Sequence, residues 1–241
     1  GNFKDVQHVG LMAERSAVAS FRSGVLHVNA WILCLQFASG LGIELTMNSC
    51  ATVHLVHRFD LSVPTAAAYA SLFGLMNIFS RGLGGYMSDK FQQWYSLRGR
   101  LGIHMTFMTL EGLLILAFIQ SEELTLTLTM MMAFAMFGQM GMGSCFALVP
   151  YVHPPSTGTI AGIVGAGGNV GAVYFLSVMR NQKGPGVDEF PAFVVMAVFT
   201  LVAALLTPLI VIKGYRGLLF GKEEGTERPA AKLLVTSGVN V

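Results

Sequence analysis

Gly162-Ile163-Val164-Gly165-Ala166-Gly167-Gly168-Asn169-Val170-Gly171-Ala172 decides how this chain is read. Five glycines and one asparagine sit in a run that is otherwise apolar. Two readings compete. After a strand and before a helix, such glycines would cradle the phosphates of a dinucleotide. Here the upstream residues are a proline-broken loop, His153-Pro154-Pro155, and the glycines lie inside an apolar stretch, residues 160–179. That stretch is long enough to lie in a bilayer, so the glycines read as helix surface. Glycine in a helix costs about 1 kcal/mol relative to alanine. Close approach of another backbone, or of a small ligand, compensates. One amide side chain on a glycine-smooth membrane helix suggests a path for a small polar solute.

Composition supports the membrane. The 241 residues are 53% hydrophobic and 12% charged, with mean hydropathy +0.60, whereas soluble domains carry about 25% charged residues. The net charge of +2 is scattered between apolar runs and offers no basic patch for nucleic acid. Cys34, Cys50 and Cys145 all fall in apolar segments and read as buried free thiols; their spacing gives neither a zinc site nor a disulfide framework. Gly1 shows neither an initiator Met nor a signal-peptide pattern, and the expectation is a fragment of a longer protein.

A membrane crossing takes about 20 helical residues. Six apolar runs meet that length, at 26–52, 63–87, 101–120, 124–150, 157–179 and 190–212. The expected fold is therefore an all-α membrane protein with six transmembrane helices, a bundle over residues 22–213. A connecting segment, 1–21, precedes it, and a polar tail, 214–241, follows as a disordered or surface-lying end. Residues 88–100 read as a charged loop and 180–189 as a Gly/Pro loop. No period-2 pattern suggests a β-barrel. With both ends cytoplasmic, Lys4, Arg15, Arg22, Lys90, Arg98, Arg100, Lys213, Arg216 and Lys222 fall inside, and only Arg58, Arg180 and Lys183 outside. Nine against three follows the positive-inside bias.

Polar residues inside the spans carry the chemistry. Arg81 lies in Asn77-Ile78-Phe79-Ser80-Arg81-Gly82-Leu83-Gly84-Gly85, near mid-span. An arginine there costs ~2.5–3.5 kcal/mol on insertion scales. Either it snorkels or pairs with Glu44, or its planar fork holds an oxyanion. Glu44, in the first span, reads as a counter-charge to Arg81, as a proton carrier, or as a neutral acid bonded between helices. Glu111 raises the same question in a weaker context. Asn169 offers a second donor to an anion, or an ordinary helix-packing bond. Gly85, Asp89, Arg98 and Arg100 join the second and third spans as acid and bases at a helix end. They read as a topogenic basic loop, and also as a charge lock that holds one conformation. His54 and His57 suit a wetted helix end better than a metal site. No catalytic residues, metal ligands or cofactor motif are expected.

The sequence resembles the nitrate/nitrite porter family of the major facilitator superfamily. Gly162 to Ala172 is similar to its glycine-rich signature, and Phe79 to Gly85 followed by Ser88-Asp89 to its eighth helix and loop motif. Gly42-Ile43-Glu44-Leu45-Thr46 resembles the seventh helix of the eukaryotic branch, and Gly143 to Val152 the end of the tenth. The resemblance covers Arg22 to Lys213 and implies that these spans are helices seven to twelve, the C-terminal half. The loop at His153-Pro154-Pro155 departs from a family position that is often basic. The resemblance implies nitrate or nitrite transport by alternating access, with proton symport in the eukaryotic branch. It implies an anion site on Arg81, Asn169, Gly165, Gly167 and Gly168, with Phe37 as an aromatic wall. The partners it implies are the nitrate or nitrite anion, protons, the lipid bilayer and the N-terminal six-helix half with its own arginine; it also allows an accessory membrane subunit. The expected location is the plasma membrane. The rival readings are a facilitator-type transporter of another small anion and an anion sensor without flux. A membrane enzyme is disfavoured by the lack of a nucleophile–base pair.

Overall fold

The computed structural model describes residues 17–181, 190–215 and 217–221. Among them all regular structure is helical: α1 (Ala17–Val25), α2 (Val28–Phe59), α3 (Val63–Gln120), α4 (Leu124–Val152), α5 (Thr157–Asn181) and α6 (Phe190–Leu205), with 3-10 turns at Pro154–Ser156 and Thr207–Leu209. Among the described residues five helices are long and apolar enough to cross a membrane, and the chain is an integral, multi-pass, all-α membrane protein.

The count differs from the six runs expected because α3 joins two of them. Its 58 residues would extend about 87 Å at about 1.5 Å per residue, far beyond a hydrocarbon core of about 30 Å. It is broken at Tyr95 (φ −130°, ψ 19°) and Ser96 (φ 57°, ψ −154°), which leaves arms at 63–94 and 97–120. The expected charged loop at 88–100 is thus helical up to Trp94. Lys90-Phe91-Gln92-Gln93-Trp94 contains no glycine or proline, so nothing stops the helix at the membrane edge. The same reason carries α2 past the expected end at residue 52 to Phe59, where Asp60 adopts the left-handed conformation (φ 51°). The last helix falls short of 212. Pro208 removes a backbone donor and restricts Thr207, so α6 stops at Leu205 and a 3-10 turn follows. Residues 1–16, residues 182–189 of the expected Gly/Pro loop, and residues 222–241 of the expected tail lie outside the described residues; within the expected connecting segment 1–21, α1 begins at Ala17.

Two glycine seams set the packing. Along α3 and α4, a Cβ on Gly84 would stand 2.2 Å from the Met140 carbonyl oxygen, and one on Gly143 2.0 Å from that of Arg81. Along α2 and α5, a Cβ on Gly171 would meet the Ala38 oxygen at 2.1 Å, and one on Gly42 the Gly171 carbonyl carbon at 2.7 Å. Backbones this close are the membrane form of small-residue packing. The phenylalanines Phe118, Phe134, Phe175 and Phe193 fill one end of the core.

Candidate functional site

The seams bring four polar side chains together. Arg81 on α3 donates from Nη2 to Glu44 Oε2 on α2 at 2.9 Å, and from Nε and Nη2 to Gln139 Oε1 on α4 at 3.2 and 3.0 Å. Asn77, one helical turn before Arg81, donates Nδ2 to Glu44 Oε1 at 2.7 Å. Both carboxylate oxygens are thereby engaged, and Met142 Sδ lies 3.6 Å from Nη2. The Glu44 side chain is 8% exposed, while that of Arg81 is 42% exposed. Among the described residues nothing accepts from Nη1. The Nε/Nη2 edge is held by Gln139, and the outer Nη2 hydrogen is held by Glu44, which leaves Nη1 free. Displacing Glu44 would open the Nη1/Nη2 edge, whose parallel N–H donors suit a planar oxyanion.

A small, partly open pocket lies beside this cluster. Gly40, Glu44, Gly138, Gln139 and Met142 line it together with Phe73, Phe134 and Glu111. The second carboxyl, Glu111, sits on the second arm of α3 and is buried. Its Oε1 fills the space over Gly138, 2.6 Å from where a Cβ would stand.

The other sequence-selected residues fall elsewhere. Asn169 is exposed on α5 and donates back to the Gly165 carbonyl at 3.3 Å, in its own helix; no contact joins it to Arg81. A short amide among glycines finds the carbonyl one turn back more readily than a distant partner. The glycines of that run divide by face. Gly167 and Gly168 are packed closed by α2, with virtual Cβ positions 2.5 Å from the Cys34 oxygen and 2.4 Å from Leu41 Cδ2, whereas Gly162 and Gly165 face open space. Phe37 is buried in the core edge-on to Phe146, with ring centroids 4.9 Å apart, and Phe73 takes the place of an aromatic pocket wall. His54 packs against Phe118 and, edge-on, against Phe193, with ring centroids 5.3 and 5.2 Å away.

The charged cluster at the break of α3 is formed by two of its four expected residues. Arg100, buried on the second arm, donates Nη2 to Asp89 Oδ1 at 2.5 Å, Nε to Gln92 Oε1 at 2.6 Å and Nη1 to the Ala147 carbonyl at 3.1 Å. Its guanidinium also lies 5.1 Å from the centre of the Tyr151 ring. Arg98 is exposed and forms no ion pair among the described residues. Gly85 lies along the α3–α4 seam, its amide 3.1 Å from a virtual Cβ on Gly143.

Sequence reasoning passed over Gln139 and a second buried network. Gln36 Nε2 donates to Thr207 Oγ1 at 2.9 Å and to the Ala203 carbonyl at 3.0 Å, and its Oε1 meets His104 Nε2 at 3.2 Å. His104 Nδ1 in turn lies 2.7 Å from Ser144 Oγ. This chain of bonds ties α2, α3, α4 and the turn after α6. The only signal for it is the presence of uncharged polar residues in apolar runs.

No family model matches the chain. It is similar to "Nitrate transporter 2.2" of Chlamydomonas reinhardtii, 30% identical over 231 residues, covering 94% of this chain and 45% of that protein. "High-affinity nitrate transporter 2.3" of Oryza sativa subsp. japonica is 31% identical over 230 residues, 93% of this chain and 43% of its own length. "Nitrate/nitrite transporter NrtP" of a Picosynechococcus strain is 35% identical over 150 residues, 61% of this chain and 27% of its own. The chain spans less than half the length of these relatives. Homology to these nitrate transporters runs along most of the chain's length, and by it the chain belongs to the nitrate/nitrite porter family of the major facilitator superfamily.

Proposed function

We propose that this chain forms the C-terminal six-helix half of an alternating-access transporter that carries nitrate, and nitrite, across the plasma membrane with protons. The observation that carries the reading is Arg81. It stands within an apolar helix, is braced by Gln139 and Glu44, which line a pocket, and retains a free Nη1. The printed names of the relatives support nitrate as the solute. Two arms of α3 separated at Tyr95–Ser96 support six crossings rather than five.

In this reading nitrate docks on the Nη1 edge and competes with Glu44 for the cation. Protonation of Glu44 would release Arg81 to the anion, which couples the two ions. Gly165 and Asn169, on the open side of α5, are available to a solute. Gly167, Gly168 and Phe37 act by fixing α5 and α2. The Asp89–Arg100 pair, with Gly85 on the seam behind it and Arg98 beside it, acts as the cytoplasmic lock, opening when the halves rock about the central site. The N-terminal half supplies the remaining ligands, an accessory membrane subunit joins the assembly, and both ends face the cytoplasm.

Reconstitution of the intact reading frame in liposomes tests the reading. Labelled nitrate is expected to enter, with nitrite competing and sulfate or organic anions failing to compete. Anion binding without flux would favour a sensor, and strong competition by another anion a different facilitator.

A further inference from the structure

Glu111 belongs to none of the bonds that hold the Arg81 cluster. It is 2% exposed, faces the pocket shared with Glu44, and has no cation or hydrogen-bond donor against it among the described residues. The titratable groups around that pocket are Glu44 from α2 and, through Glu44 and Gln139, Arg81 from the first arm of α3; α4 presents Gly138, Gln139 and Met142. His104, two turns earlier on the same arm, is occupied by Ser144 and Gln36. A carboxylate charge buried without a partner is expensive, and a proton on the carboxyl removes that cost. Glycine at 138 leaves room for its carboxyl, because any side chain there would collide with Oε1.

With Glu111 protonated, the pocket and the Arg81 that borders it through Glu44 and Gln139 hold one positive charge, one negative charge and one mobile proton. An oxyanion on Arg81 adds a negative charge and displaces Glu44. We propose that Glu111 is the proton-relay carboxyl of this site, passing its proton to Glu44 as the anion takes Glu44's place on Arg81. The O–H bond of Glu111 breaks, an O–H bond forms on Glu44, and the Glu111 carboxylate is refilled by a proton from the medium. Anion and proton are thereby linked reciprocally. The inference rests on the transport reading above.

The experiment uses the intact protein in liposomes and compares nitrate–nitrate exchange with net uptake driven by an inward proton gradient. Exchange needs no net proton transfer. Glu111→Gln is expected to lower the ratio of gradient-driven uptake to exchange at least tenfold, and Glu111→Asp to restore most of it. Gly138→Ala, which displaces the carboxyl, is expected to lower the ratio in the same direction. An unchanged ratio in Glu111→Gln overturns the relay, as does parallel loss of both activities in Glu111→Gln and Glu111→Asp. Absence of exchange in the wild type overturns the transport reading and the relay with it.

Discussion

Arg81 owes its orientation to two acceptors of different kinds. Gln139 takes its Nε edge without charge, and Glu44 supplies the counter-charge that makes a guanidinium tolerable inside a bundle. Removing the amide oxygen leaves charged donors unsatisfied, which costs about 1–3 kcal/mol. Gln139→Leu is therefore expected to weaken nitrate binding about tenfold, and Gln139→Glu to weaken it further, because a second carboxylate would compete with the anion. Equilibrium binding of labelled nitrate to the purified intact protein checks both. At this scale the charges were legible: an arginine and a glutamate in apolar runs are too costly to be incidental. Gln139 was not legible, since an amide between Gly138 and Met140 gives no sign of the face it occupies until α3 and α4 are docked. Asn169 misled for the opposite reason. The glycines around it singled it out, yet its side chain is satisfied within its own helix.

Helices α3 and α4 meet where neither has a side chain to spare. A methyl at Gly143 would lie 2.0 Å from the Arg81 carbonyl oxygen, and overpacking of this kind costs typically ~1–3 kcal/mol. Gly143→Ala is expected to lower the thermal midpoint of the purified protein and to reduce transport, because the helix that moves carries Arg81. Gly162→Ala, at a position open to space, is expected to leave the midpoint unchanged or raise it, since alanine favours the helix. Equal effects of the two would remove the seam argument. The helices themselves were readable from apolar length. Their ends were less so, because apolar length marks where hydrocarbon stops and not where hydrogen bonding stops. Phe91 to Trp94 remain helical past the expected span, and Pro208 ends α6 before the apolar run does.

At the level of the whole molecule, Leu75, Ile78, Phe79 and Leu83 on α3 and Val170, Val173 and Tyr174 on α5 expose large apolar surfaces. Lipid or a second helical bundle suits such faces. The positive-inside bias predicts which side each loop meets. Once Cys34, Cys50 and Cys145 are replaced, Arg98→Cys is expected to react with an impermeant maleimide only after the membrane is permeabilised, and Asp60→Cys to react in intact cells. The reverse pattern would invert the proposed topology. The central claim is that the Nη1/Nη2 edge of the Arg81 guanidinium, once Glu44 leaves it, holds the transported anion, and the affinity of the intact protein for nitrate, compared between wild type and Arg81→Lys, tests it most directly. A lysine keeps the charge but loses the fork; the account predicts binding weaker by about tenfold or more, and equal affinity in the two proteins would contradict it.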